Sequence, residues 1–201
     1  MTLVKDRPAD GFAAARKAMV ESQLRVSGVN ADFVRERMGA VAREDFVPAE
    51  TRAVAYMDRA VPLGNGRFLA APLVHGRILE EAAPTPADKV LLVHGGSLYL
   101  AELLRPLVGS LEVISAAEGV QASGKTGDYT LLIIDGAIEH LPDGLAAQLA
   151  EGGRVVAGLV ARGLTRLATG RKVAGEVSLI PLAEIGMPIL PEFAAAKGWS
   201  F

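Results

Sequence analysis

Three uninterrupted apolar runs constrain the fold more than any other feature of the chain: KVLLV at 89–93, YTLLIID at 129–135 and VVAGLV at 155–160. A strand with one wet face alternates apolar and polar residues. These runs do not, so each is expected to be buried on both faces, as in a parallel sheet layered between helices. Residues 111–116 supply a further strand, and residues 98–108 the helix between it and the first run. Pro142 opens a helix that reaches residue 149 and is closed by Gly152 and Gly153. Strands alternating with helices predict an α/β fold with a doubly wound parallel sheet. Beyond Gly163, residues 164–168 and 173–182 read as two more strands joined around Gly170 and Arg171, added antiparallel at the sheet edge. The tail, residues 186–201, carries Ile189, Leu190, Phe193, Trp199 and Phe201 and is expected to pack on the body.

The first third of the chain reads as a cover for this core. Phe12, Ala15, Met19, Val20 and Leu24 recur at helical spacing over residues 11–27, with Gly28 placed for a left-handed cap. Asn30 is positioned to N-cap a second helix carrying Phe33, Val34, Met38 and Val41, which makes an N-terminal helical hairpin. Residues 43–72 are punctuated by Pro48, Pro62, Gly64, Gly66 and Pro72 and predict short turns and extended pieces. Pro72 then suits the first turn of a helix running to Ala82, closed by Pro84 and Pro86. Glu80 and Glu81 on that helix read as solvated charge. The expectation is one domain over 1–201, with 1–86 as cover and 87–201 as core and tail.

Composition narrows the function classes. Half of the 201 residues are hydrophobic and 22% are charged, as in folded globular proteins. A net charge of -2 without a basic stripe argues against a nucleic-acid partner. No apolar run approaches the roughly 18 residues a membrane helix needs, so a membrane is not an expected partner and the cytoplasm is the expected compartment. The absence of cysteine excludes disulfides, thiolate metal sites and a cysteine nucleophile. His94, His140 and Asp135 lie in separate loops without metal-ligand spacing, and no metal is expected.

Five collinear segments, MVESQL at 19–24, REDFVP at 43–48, AYMDRAVPLGNG at 55–66, AAPLVHGRILEEA at 70–82 and GDYTLLIIDGAIEHLPDGLAAQLAEGGRVVAGL at 127–159, resemble the protein-L-isoaspartate O-methyltransferase family. The resemblance implies a Rossmann-like methyltransferase sheet, mostly parallel with antiparallel C-terminal strands. It also implies transfer of a methyl group from S-adenosylmethionine to the carboxylate of an isoaspartyl residue, the first step of protein repair, without a metal. The partner would then be an isoaspartyl-containing protein or peptide.

Against that family pattern the cofactor cradle reads as eroded. In VLLVHGGSLYL at 90–100, Leu92 stands where an acid is usual, while His94 and Leu98 replace the first and last glycines. Gly95, Gly96 and Ser97 match, and the bulk of His94 and Leu98 is expected to crowd the cofactor. Glu118 is the candidate ribose ligand near the end of the second strand, with a solvated turn residue as the plainer reading. Asp135 sits at the carboxyl end of a central strand, where ligands bind in open sheets, or serves as a turn residue. Only GVQASGKTG, residues 119–127, separates Glu118 from Asp128, whereas a crossover with its helix takes at least about ten to twelve residues. One edge strand and its helices are therefore expected to be missing, and one wall of the adenine pocket with them, the chain returning across the sheet without a helix. In the substrate loop Ala70 replaces the usual serine before Ala71 and Pro72, and His75 follows at a position that can be histidine in relatives. The reading that results is a catalytically inactive family member, a pseudoenzyme with a binding or structural role. The alternative is an active repair methyltransferase that binds its cofactor through Gly95, Gly96, Ser97, Glu118 and Asp135. Self-association through the exposed sheet edge is a further expectation.

Overall fold

The computed structural model describes residues 9–122 and 127–195; Trp199 and Phe201 lie outside these. Its centre is a six-stranded sheet of order β4-β3-β5-β6-β7-β8, where β3 is Lys89–His94, β4 Ser110–Ser115, β5 Tyr129–Ile138, β6 Leu149–Ala161, β7 Leu164–Val173 and β8 Glu176–Glu184. β3, β4, β5 and β6 pair in parallel, and β7 and β8 add antiparallel. The unbroken apolar runs acquire their meaning here. Val90, Leu92, Leu131 and Ile133 face the N-terminal cover, while Leu91, Val93, Leu132 and Ile134 face the opposite layer. With both faces covered, each fully buried aliphatic side chain contributes roughly 1.5–3 kcal/mol of transfer free energy.

The cover begins with α1, Ala9–Ala18, which continues through a π-helical stretch, Met19–Leu24, as far as the turn at Gly28, whose φ of +84° lets the chain reverse. The second helix, α2 (Asp32–Ala40), is not capped by Asn30. Its N-terminal flank is held by Glu80, whose Oε1 accepts from the backbone N–H groups of Asn30 and Ala31 at 2.7 and 3.0 Å. Glu80 is consequently a tertiary contact and not free surface charge, and it also pairs with Arg77. Two 3₁₀ turns and a hairpin, β1 (Val61–Gly64) with β2 (Arg67–Leu69), fill residues 43–69. α3, Pro72–Ala82, starts at Pro72 as expected and packs on the sheet through Val74, Ile78 and Leu79.

Three local expectations change. The hairpin between β7 and β8 turns at Ala174 and Gly175, not at Gly170 and Arg171, because Gly170 is needed inside β7, where a β-carbon would meet the Ser178 carbonyl at 2.6 Å. α6 spans only Asp143–Ala147, and Gly152 and Gly153 lie within β6, absorbing a register shift against β5. The crossover from β4 to β5 does include a helix, α5 (Ala116–Gln121), which immediately follows the outer strand β4. Among the described residues no helix is long and apolar enough to cross a membrane.

At the amino ends of the strands, Asp88 gathers four elements. Its carboxylate accepts from Thr85 N–H and Oγ1 at 2.8 and 2.9 Å, from Thr130 Oγ1 of β5 at 2.8 Å and from Arg154 of β6 at 2.9 Å, and its carbonyl accepts from Gly109 and Ser110 before and in β4. Burial opposes ionisation of this group, but the hydrogen bonds from Thr130, Thr85 and Arg154 outweigh it and hold the carboxyl below its ordinary value. A depressed folded value means that the contribution is fully present above about pH 4 and disappears as pH falls through the lowered value. The acid limb of the stability profile below about pH 4 is therefore expected to flatten in Asp88→Asn, followed by circular dichroism. An unchanged slope in the variant would assign acid sensitivity elsewhere.

Candidate functional site

The carboxyl ends of β3 and β5 are where an open α/β sheet places its ligands. β3 ends at His94 and enters a turn in which Gly96 has φ of +123° and donates its N–H to His94 Nδ1 at 3.2 Å. Gly95 packs against the backbone of β5: a β-carbon there would lie 2.4 Å from the Asp135 carbonyl oxygen. Ser97 is buried and its Oγ accepts the Tyr99 N–H, which starts α4 (Tyr99–Leu104). Leu98, expected to crowd the cofactor, instead points outward and is 53% exposed; it borders a shallow cleft of about 400 Å³ with Phe46, Val47, Pro48 and Leu63.

The groups that fill the space over the glycines come from elsewhere. The Arg67 side chain of β2 lies on Gly96, where a β-carbon would meet Arg67 Cβ at 2.8 Å. Leu190 lies between Gly136 and Gly95, its side chain 2.6–2.9 Å from a β-carbon at Gly136 and 3.3 Å from one at Gly95. Phe193, fully buried, is 3.2 Å from a β-carbon at Gly119 of α5. The tail expected to pack on the body does so through Leu190 and Phe193, while Ile189 remains 52% exposed. Residues 187–193 are fastened along β5: Ala137 N–H donates to Pro188 at 2.8 Å, and Leu190 N–H donates back to Ala137 at 2.9 Å.

Glu118 is drawn into a local task. The end of β4 is Ser115, which N-caps α5, and Glu118 completes the capping box by accepting from Ser115 N–H and Oγ at 2.7 Å each. Those hydrogen bonds hold the Glu118 carboxyl below its ordinary value. Both acceptor bonds come from within the helix terminus.

His75 is packed inside the protein and has two polar partners. It is inaccessible to solvent on α3, with Nε2 3.1 Å from Asp135 Oδ1 and Nδ1 3.1 Å from Arg43 Nη1. A guanidinium only donates, so Nδ1 accepts and Nε2 carries the hydrogen given to Asp135. Arg43 is itself fully buried, donates to the Ala55 carbonyl at 2.6 Å and to the Ala70 carbonyl, and lies 5.1 Å from the Tyr99 ring centre. Burial lowers its pKa, and Tyr99 and Asp135 oppose that shift. The Tyr99 hydroxyl is pushed up to about 12 by burial, against the pull of Arg43. Ala70 thus contributes its carbonyl, and Pro72 the first turn of the helix that presents His75. Asp135, His75, Ala70 and Pro72 come together around Arg43, next to Gly95, whereas Glu118 belongs to α5. Sequence reasoning overlooked Arg43, Arg67 and Glu192; Arg43 opens REDFVP, but nothing local marks it as buried. Among the described residues no group of three or more His, Asp or Glu side chains is arranged to hold a metal ion.

Two consequences are measurable. Gly136→Ala is expected to cost about 1–3 kcal/mol by overpacking against Leu190, and combining it with Leu190→Ala should be less destabilising than the sum of the two changes. Additive effects in denaturant melts would show that the two sites do not touch. His75→Ala leaves Arg43 and Asp135 without their bridge and is expected to cost about 3–5 kcal/mol; a loss below about 1 kcal/mol would remove the network from the fold's main supports.

The chain matches the family model Protein-L-isoaspartate(D-aspartate) O-methyltransferase (PCMT) over residues 14–121. That span ends with the last residue of α5. It is 32% identical over 191 residues to the protein-L-isoaspartate O-methyltransferase of Koribacter versatilis (strain Ellin345), covering 83% of this chain and 86% of the relative. The protein of the same name from Aeropyrum pernix is 39% identical over 179 residues, covering 75% and 68%. In fold the chain is similar to a Plasmodium falciparum protein assigned as a protein-L-isoaspartate O-methyltransferase, in complex with S-adenosyl-L-homocysteine, with a TM-score of 0.70 and 18% identity over 88% of this chain and 98% of that one. With the family model spanning more than half of the chain and two such relatives at 32% and 39% identity, this chain belongs to the protein-L-isoaspartate O-methyltransferase family.

Proposed function

We propose that this protein keeps the family fold but has given up S-adenosylmethionine binding and methyl transfer, and works as a non-catalytic binding or structural protein, its residues 1–86 covering a core formed by 87–201. One observation carries the reading: the space over Gly95 and Gly136, where a cofactor would approach the backbone, holds the side chain of Leu190. Arg67 over Gly96 closes the turn from the other side. Asp135 is engaged by His75 inside the protein, and Glu118, on the surface, accepts from Ser115 through Oε2. S-adenosylmethionine does not fit this arrangement.

The second reading, an active isoaspartyl methyltransferase of protein repair, is favoured by the Gly95–Gly96 turn with its positive φ at Gly96, retained at the end of β3. It also has the family on its side, including the Plasmodium falciparum protein in complex with S-adenosyl-L-homocysteine. In that reading the partner is an isoaspartyl-containing protein or peptide. Titration of the chain with S-adenosylhomocysteine in a calorimeter separates the two. No heat of binding is expected at ligand concentrations of tens of micromolar, and no methyl ester on an isoaspartyl peptide. Low-micromolar binding accompanied by ester formation would establish the repair enzyme instead.

A further inference from the structure

The segment that follows β8 is built more like a bound ligand than like a chain end. It adds a short parallel bridge at Ala137, and the carbonyl of Phe193 accepts from the Glu139 N–H at 3.2 Å. Its side chains enter seats provided by glycines of different elements: Met187 at Gly158 of β6, Leu190 at Gly136 of β5 and Gly95 after β3, Phe193 at Gly119 of α5. A β-carbon at Gly158 would approach Met187 Sδ to 2.8 Å, so that seat too is cut to fit. The assembly is then latched from the cover, where the Arg67 guanidinium grips both carboxylate oxygens of Glu192, one at 3.1 Å. Both side chains of the latch are partly exposed, at 31% and 20%, so it can be broken without dismantling the core.

Beneath the segment lies an apolar slot. Phe193 belongs to the cluster of Leu91, Val93, Ala116 and Ile134, and its flat ring lies between α5 and β3. That place, beyond the carboxyl ends of parallel strands and beside a positive-φ glycine turn, is where open α/β sheets bind their ligands, and here a flat phenyl ring occupies it. We infer that residues 187–193 form an autoinhibitory strap that competes with an adenosine-type thioether for this crevice, held closed by the Arg67–Glu192 pair. The inference rests on the reading above, that the chain as folded does not bind the cofactor, and names residues 187–193 as the cause. Competition of this kind obeys linkage: the apparent affinity is the intrinsic affinity scaled by the open fraction. Loosening the strap must tighten apparent binding by the same factor.

The test uses the full chain, Glu192→Gln and Phe193→Ala, each titrated calorimetrically with S-adenosylhomocysteine and melted with and without adenosine or benzene. Removing the charge from the latch is expected to raise apparent affinity about five- to tenfold, and removing the ring about a hundredfold or more, bringing binding into the measurable range. S-adenosylhomocysteine and adenosine, but not benzene, should raise the melting temperature of Phe193→Ala. Equal stabilisation by benzene would reduce the slot to a plain apolar cavity and overturn the proposal. If Phe193→Ala does not fold, Glu192→Gln decides alone, since it keeps every buried apolar group. Absence of binding in every folded variant overturns the strap and leaves the non-catalytic reading standing. Equal binding by parent and variants overturns both.

Discussion

A guanidinium shut away from water, Arg43, organises the centre of this molecule. Bringing such a charge into the interior costs several kcal/mol unless every donor finds a partner. The partners here come from four places: the carbonyls of Ala55 and Ala70 in the cover, His75 on α3, the ring of Tyr99 on α4 and, through His75, the carboxylate of Asp135 in β5. Satisfying one side chain therefore sets the position of the cover, two helices and the central strand relative to one another. Asp135 thereby takes part in balancing the buried guanidinium.

The strap answers a second constraint. Between Gln121 and Tyr129 there is no room for a further strand and its helices, and among the described residues the helices on the sheet face opposite the cover are the short α5 and α6. An apolar sheet face has to be buried against something. Leu190 and Phe193 supply that burial by reaching between strand ends and α5, and the glycines at 95, 119 and 136 let them come close. The same small residues that permit a cofactor to approach a backbone permit a side chain to do so; glycine specifies the gap, not its occupant.

Parts of this were legible in the chain. Unbroken apolar runs located β3, β5 and β6 and their parallel pairing, because two-sided burial erases alternation. Pro72 marked the start of α3 because its missing N–H is harmless only there. The boundaries that moved are those set by partners distant in sequence. Gly170 looked like a turn residue but meets Ser178 across a strand pair, and Asn30 looked like a cap but makes no such bond, its own N–H and that of Ala31 being held by Glu80 from α3. Leu98, expected to crowd a cofactor, faces solvent instead, since a residue's direction out of a turn depends on the turn's geometry and on what covers it.

From its residues alone this chain was bound to form a parallel sheet with a helical cover and a shortened crossover, since apolar periodicity, proline placement and chain length act locally and survive without knowledge of the rest. What occupies the crevice at the strand ends was settled only by tertiary structure. Leu190 and Gly95 are 95 residues apart, Glu192 and Arg67 are 125 apart, and no local pattern encodes which distant side chain will fill a gap that glycine leaves open.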